Sequence, residues 1–264
     1  MKHLNTYITE YIIKKKLDKP IDSEDHYEYF PKTKQELIDN IKELLDKGET
    51  DLNCIDTSEI TDMSYLFDGY KHINTKENFD VSKWDVSNVT NMSHMFNGCN
   101  FDCDLSKWDV SKVTNMNRMF LGCRNFKGVD LSSWNVSKVE NMHSMFFDCN
   151  KFDCDLSKWD VSNVKKTSYM FYNCESFEGK GLEKWDVSNV KNMSNMFGNC
   201  IKFEGKGLEK WNVSKVEYMI RMFIGCDNFT GKQIENWKIK KGCSKFEMLS
   251  KCKNIKNMPS WYKK

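Results

Sequence analysis

The sequence predicts an α/β repeat fold: a solenoid of ~25-residue strand–helix units behind a short helical N-terminal cap. Three observations predict it. Tryptophans recur at Trp84, Trp108, Trp134, Trp159, Trp185, Trp211, Trp237 and Trp261, with spacings of 24, 26, 25, 26, 26, 26 and 24. Around each, the same apolar residue types return at the same offsets, and each unit is too small to bury its own apolar face. The composition supplies a core, with 39% hydrophobic and 13% aromatic residues, while only 3 prolines and 13 glycines argue against a disordered linker.

Residues 1–50 precede the clear repeats and read as a helical cap over the apolar end that stacked repeats leave open. Leu4, Tyr7, Ile8, Tyr11 and Ile12 have helical spacing, and Pro20 stands beyond the end of that segment. Thr33 and Glu36 have the spacing of a capping box for a second helix. Leu37, Ile38, Ile41, Leu44 and Leu45 give it an apolar face, and Gly48 ends it.

The repeats occupy residues 51–257, beginning with a degenerate copy at Asp51–Phe67. The unit is clearest from Leu105 to Phe126. In Trp108-Asp109-Val110, large apolar residues flank a polar one, as in a short strand with one buried face. Val113, Met116, Met119, Phe120 and Cys123 then fall at i, i+3, i+6, i+7 and i+10, the spacing of one helix face. Phe126 and the next Leu carry the chain back. The segment 258–264 reads as a C-terminal cap.

The pattern L-x-x-W-D-V-S-N-V-x-x-M-x-x-M-F-x-x-C-x-x-F resembles the repeat of the BspA-like leucine-rich-repeat family, found in bacterial and mycoplasmal surface proteins and some phage proteins. The resemblance spans residues 52–257 and leaves the first 50 uncovered. It implies a leucine-rich-repeat-like solenoid used for adhesion or protein binding and supplies no catalytic residues. Members at cell surfaces carry export signals. Met1–Leu17 has no unbroken apolar run of that kind, which gives the expectation of an intracellular protein, or of one carried to a virion or cell surface by another route.

Seven of the 11 cysteines fall in one column, from Cys99 to Cys252, and are expected to be reduced, buried small hydrophobes. No zinc-type C-x-x-C, H-E-x-x-H, P-loop or G-x-S-x-G string occurs, so neither catalysis nor a metal, cofactor or small-molecule substrate is expected. A formal net charge of +2 gives no strong overall field. Residues 238–264 carry nine lysines and one Glu, yet without a nucleic-acid motif they read as a solvated cap that keeps stacks apart. No stretch approaches the ~20 apolar residues of a membrane span. The Asp/Asn column from Asp85 to Asn212 is nearly constant and reads as backbone satisfaction, one carboxylate per repeat being a poor cation site.

Function is expected in the outward positions that vary. The residue after each Phe reads Asn97, Leu121, Phe147, Tyr172, Gly198, Ile224, and the residue two before it reads His94, Arg118, Ser144, Tyr169, Asn195, Arg221. The mixture of aromatic, Arg and aliphatic side chains is that of contact hot spots. His94, Arg118, Leu121, Phe147, Tyr169, Tyr172, Arg221 and Ile224 are therefore the candidate partner-binding residues. The expectation is a non-enzymatic protein-interaction module that binds a protein partner or a second copy. The alternative is a structural subunit of a larger assembly such as a phage particle or surface layer.

Overall fold

The structure, a computed structural model, describes residues 27–69, 79–101, 103–256 and 258–262. Helix α1 spans Lys34–Asp46. Its capping box is present: Thr33 Oγ1 accepts the Glu36 amide at 3.2 Å and Glu36 Oε2 accepts the Thr33 amide at 3.2 Å. Leu37, Ile41 and Leu44 are buried in the core shared with the first repeat. Lys34 Nζ ties the helix to that repeat through Ser64 Oγ at 2.6 Å. The helix expected at Leu4–Leu17 lies outside the described residues.

Within each repeat the Trp and Val of the W-D-V segment point inward and the Asp is exposed, as the alternation requires. Asp109 Oδ1 accepts the Ser111 amide at 3.0 Å, and the Val113 amide closes a turn on the Val110 carbonyl at 2.9 Å. The same Asp/Asn-to-Ser contact recurs at Asp85, Asn135, Asp160, Asp186 and Asn212. This side-chain acceptor ends the extended segment in a tight turn. Each buried indole N–H donates one repeat back, as from Trp134 Nε1 to the Leu105 carbonyl at 3.0 Å. In the return arm, Gly181 (φ 92°) passes so close that a Cβ there would lie 2.2 Å from the Ser157 amide nitrogen.

The helix expected over Val113–Cys123 is absent, and so are its counterparts in every described repeat. Those segments are runs of tight turns. Met119 N bonds to Met116 O at 3.2 Å, Leu121 N to Arg118 O at 3.2 Å and Cys123 N to Phe120 O at 3.1 Å. The intervening amides point along the stack instead. Met116, Arg118, Phe120 and Gly122 donate to Asn141, His143, Met145 and Phe147 of the next repeat at 2.6–3.0 Å. A helix of this length would have to repay a costly nucleation alone, whereas bonding to a neighbour satisfies the same amides. Successive i to i+3 turns also return apolar residues every three or four positions, so the burial pattern of a helix and of this turn run is the same.

Successive turn runs form a parallel ladder. One bridge per repeat links Asp62, Asn91, Asn115, Asn141, Lys166, Asn192, Tyr218 and Ser244. Behind it the core columns are continuous. Phe rings from Phe67 to Phe223 stack at 5.4–5.8 Å, and the paired tryptophans lie 6.3–6.5 Å apart. The cysteine column from Cys99 to Cys226 is fully buried and unbridged. Its thiols are also donors: Cys149 Sγ reaches the Phe120 carbonyl at 2.9 Å, Cys174 the Phe146 carbonyl at 3.0 Å and Cys226 the Phe197 carbonyl at 2.8 Å. Burial pushes their ionisation up, to about 12 for Cys99.

Candidate partner-binding face

The outer side of the turn ladder carries all eight candidate residues. Two columns on it have positive φ, and their contrast is informative. The first holds Gly69, Gly98, Gly122, Asp148, Asn173, Asn199, Gly225 and Lys251. All but Lys251 are Gly, Asn or Asp, the residues that adopt the left-handed region at least cost. The second column holds Tyr65, His94, Arg118, Ser144, Tyr169, Asn195, Arg221 and Glu247, with φ between 53° and 62°. Only Asn195 and His94 are of types enriched there. The same turn geometry is thus filled once by backbone preference and once against it.

Several side chains of the strained column are engaged with neighbours. Tyr65 stacks on His94 with ring centroids 4.3 Å apart. Phe147 stacks on Tyr172 at 5.1 Å, and Tyr169 lies 6.2 Å from Phe147 and 5.7 Å from Tyr172. His143 adds an edge contact to Tyr169 at 6.0 Å and bonds through Nδ1 with Ser168 Oγ at 2.7 Å. Arg221 pairs through Nε with Glu247 Oε2 at 2.6 Å, its guanidinium carbon 5.9 Å from the Phe246 ring centre. Phe147, Tyr169, Tyr172, Leu121 and Ile224 are half-buried, Arg118 and Arg221 are exposed, and His94 is buried.

Tyr169, Tyr172, Arg221 and Ile224 come together around one cleft of about 620 Å³, with Asn195, Glu247, Ser250 and Lys251. The cleft exists because the repeat between two bulky ones is small. Gly198 and Asn195 stand where neighbouring repeats carry Tyr172 and Ile224, or Tyr169 and Arg221. A Cβ on Gly198 would meet the Tyr172 ring at 2.6 Å and Ile224 Cγ2 at 3.1 Å. Phe147 joins the cleft wall by stacking on Tyr172. His94, Arg118 and Leu121 sit on earlier rungs, outside the cleft.

The two histidines on this face are biased toward the uncharged form. Burial lowers the pKa of both His94 and His143, with the Arg118 charge adding to it. His94 Nδ1 and Asn117 Oδ1 are buried without a partner among the described residues. Sequence reasoning missed Tyr65, and it placed Asn195 and Gly198 in the outward columns without seeing that their small size opens the cleft. The small residues were legible in the aligned repeats as a gap between bulky neighbours. No group of three or more His, Cys, Asp or Glu placed to hold a metal occurs among the described residues. No helix among them is long and apolar enough to cross a membrane.

Three overlapping stretches of the chain, residues 35–129, 100–181 and 169–264, match a family described as "Mycoplasma protein of unknown function, DUF285". The chain belongs to that family. The family model matches three times along the chain, which makes it a repeat protein of the DUF285 family. No curated protein and no solved structure matches it.

Proposed function

We propose that this DUF285 protein is a non-enzymatic interaction module that binds a protein partner across the outer face of its turn ladder. In this reading the whole repeat array is one solenoid of the leucine-rich-repeat kind, with turns in the place of helices. The resemblance to BspA-like repeats supports the same class of function. The observation that carries the reading is the strained column. Bulky Tyr and Arg side chains are retained where the backbone favours Gly or Asn, and such strain concentrates at ligand-contacting positions. Around the cleft these side chains meet as aromatic rings beside an Arg, the mixture that dominates contact energies.

The test is a pull-down with the intact protein beside the double variant Phe147→Ser, Tyr172→Ser. Both side chains are only half-buried, so the variant should fold and unfold like the parent by circular dichroism. Partners captured by the parent should be absent from the variant. A folded variant that retains every parent partner would overturn the assignment of this face.

A further inference from the structure

We propose that copies of this protein associate head to tail, the acidic N-terminal end of one seating on the basic C-terminal end of the next. The ladder is directional, because every rung donates its alternate amides to the rung that follows. At the last rung no described residue receives this row. Met219, Arg221, Phe223 and Gly225 donate to Ser244, Phe246, Met248 and Ser250. The amides one step further on, at Lys245, Glu247, Leu249 and Lys251, have no partner among the described residues. The Trp column continues past them, with Trp261 stacked on Trp237 at 6.5 Å, but no further turn run covers the row. Phe246 and Met258, 63% and 45% exposed, add apolar surface to this end.

The occupant must offer acceptors and negative charge. Residues 238–264 hold nine lysines against one Glu. The opposite end of the same chain is the complement: residues 49–68 hold six carboxylates and no Lys or Arg. Glu36, Asp39, Glu43 and Asp46 are exposed on α1, which lies at that end. Residues 1–26 carry five acidic and five basic residues, so they leave the sign unchanged. Carboxylates only accept hydrogen bonds, which is what a row of bare amides and lysines lacks. Two C-terminal ends would set donors against donors and lysines against lysines, and two acidic ends would repel likewise. The charges therefore block like ends and select unlike ones. The contact is heterologous and does not close on itself.

Light scattering of the full chain tests this. The expected result is a mass that grows with concentration at low salt and falls to the monomer as salt screens the ends. Lys241→Glu, Lys251→Glu, Lys256→Glu together should leave a monomer, as should Asp39→Lys, Asp46→Lys, Glu49→Lys. Mixed, the two variants should recover the parent mass, which also shows that both are folded. The Phe147→Ser, Tyr172→Ser variant should associate as the parent does, separating this contact from the lateral face. A parent that stays monomeric at low salt, a mixture that does not recover, or loss of association in the lateral-face variant would each overturn the proposal.

Discussion

Arg118→Gly should make the protein more stable while weakening its contacts. Arg118 has φ 55° and an exposed side chain that makes no hydrogen bond or ion pair among the described residues. A non-glycine residue in the left-handed region costs roughly 1–2 kcal/mol. Glycine gives back roughly 0.5–1 kcal/mol through the larger entropy of its unfolded chain. The difference leaves a gain of about 0.5–1 kcal/mol. Arg118→Asn should gain a similar amount without the glycine entropy. The same rung provides the control. Gly122 has φ 75°, and a Cβ there meets nothing nearer than the Gly98 Cα at 3.6 Å. Gly122→Ala should therefore lose about 0.5–1 kcal/mol, the left-handed cost less the glycine entropy, for backbone reasons alone. Urea unfolding reads both as opposite shifts of midpoint at an unchanged slope. An Arg118→Gly midpoint below that of the parent, with an unchanged slope, would mean that the side chain stabilises the fold. The strained column would then lose its standing as evidence for binding.

Three further outcomes are expected. Cys174→Ser keeps a donor for the Phe146 carbonyl and should cost less than Cys174→Val, which removes the donor and overfills a fully buried site by about 1–3 kcal/mol. The reverse order in thermal unfolding would mean the thiol is an apolar filler only. Phe146→Ala should cost about 3–5 kcal/mol, because its ring is fully buried between Phe120 and Phe171 at 5.7 and 5.8 Å. A variant within ~1 kcal/mol of the parent would contradict the continuous core. The lowered pKa values of His94 and His143 make the unfolded chain bind more protons than the folded one below the usual histidine range. Stability should be fully present above about pH 6.5 and fall as pH drops below it, and His94→Gln together with His143→Gln should flatten that slope in a pH series of urea midpoints.

The core was legible in the sequence because burial leaves a residue-type signature. Trp108, Val110, Met116, Met119, Phe120 and Cys123 all lie where the repeat pattern puts them, within 4% exposure. The capping box at Thr33 was legible because its two partners are three residues apart and purely local. The helix at Val113–Cys123 was misread because apolar spacing reports which residues face inward, not which carbonyl each amide finds. The sequence did hold the missing signal: the position two after the Phe is Gly, Asp or Asn from Gly98 to Gly225, a run of left-handed formers that no helix interior would carry. The outward placement holds for Arg118, Leu121, Phe147, Tyr169, Tyr172, Arg221 and Ile224, which are exposed or half-buried, but His94, Ser144, Asn195 and Gly198 of the same columns are buried under their neighbours. The cleft needed side-chain sizes on three adjacent rungs at once, and the pairing of Arg221 with Glu247 joined residues 26 apart across two repeats.

The thiol column has one consequence beyond packing. Cys123, Cys149, Cys174, Cys200 and Cys226 are each sealed in the interior with the proton spent on a neighbouring carbonyl. Their ionisation lies far above neutrality, so an oxidant meets no thiolate. A protein with 11 cysteines is ordinarily tied to one redox environment. Here those five are insulated parts of the core, and the partly exposed Cys54 and Cys252 are the thiols that an oxidant would reach first.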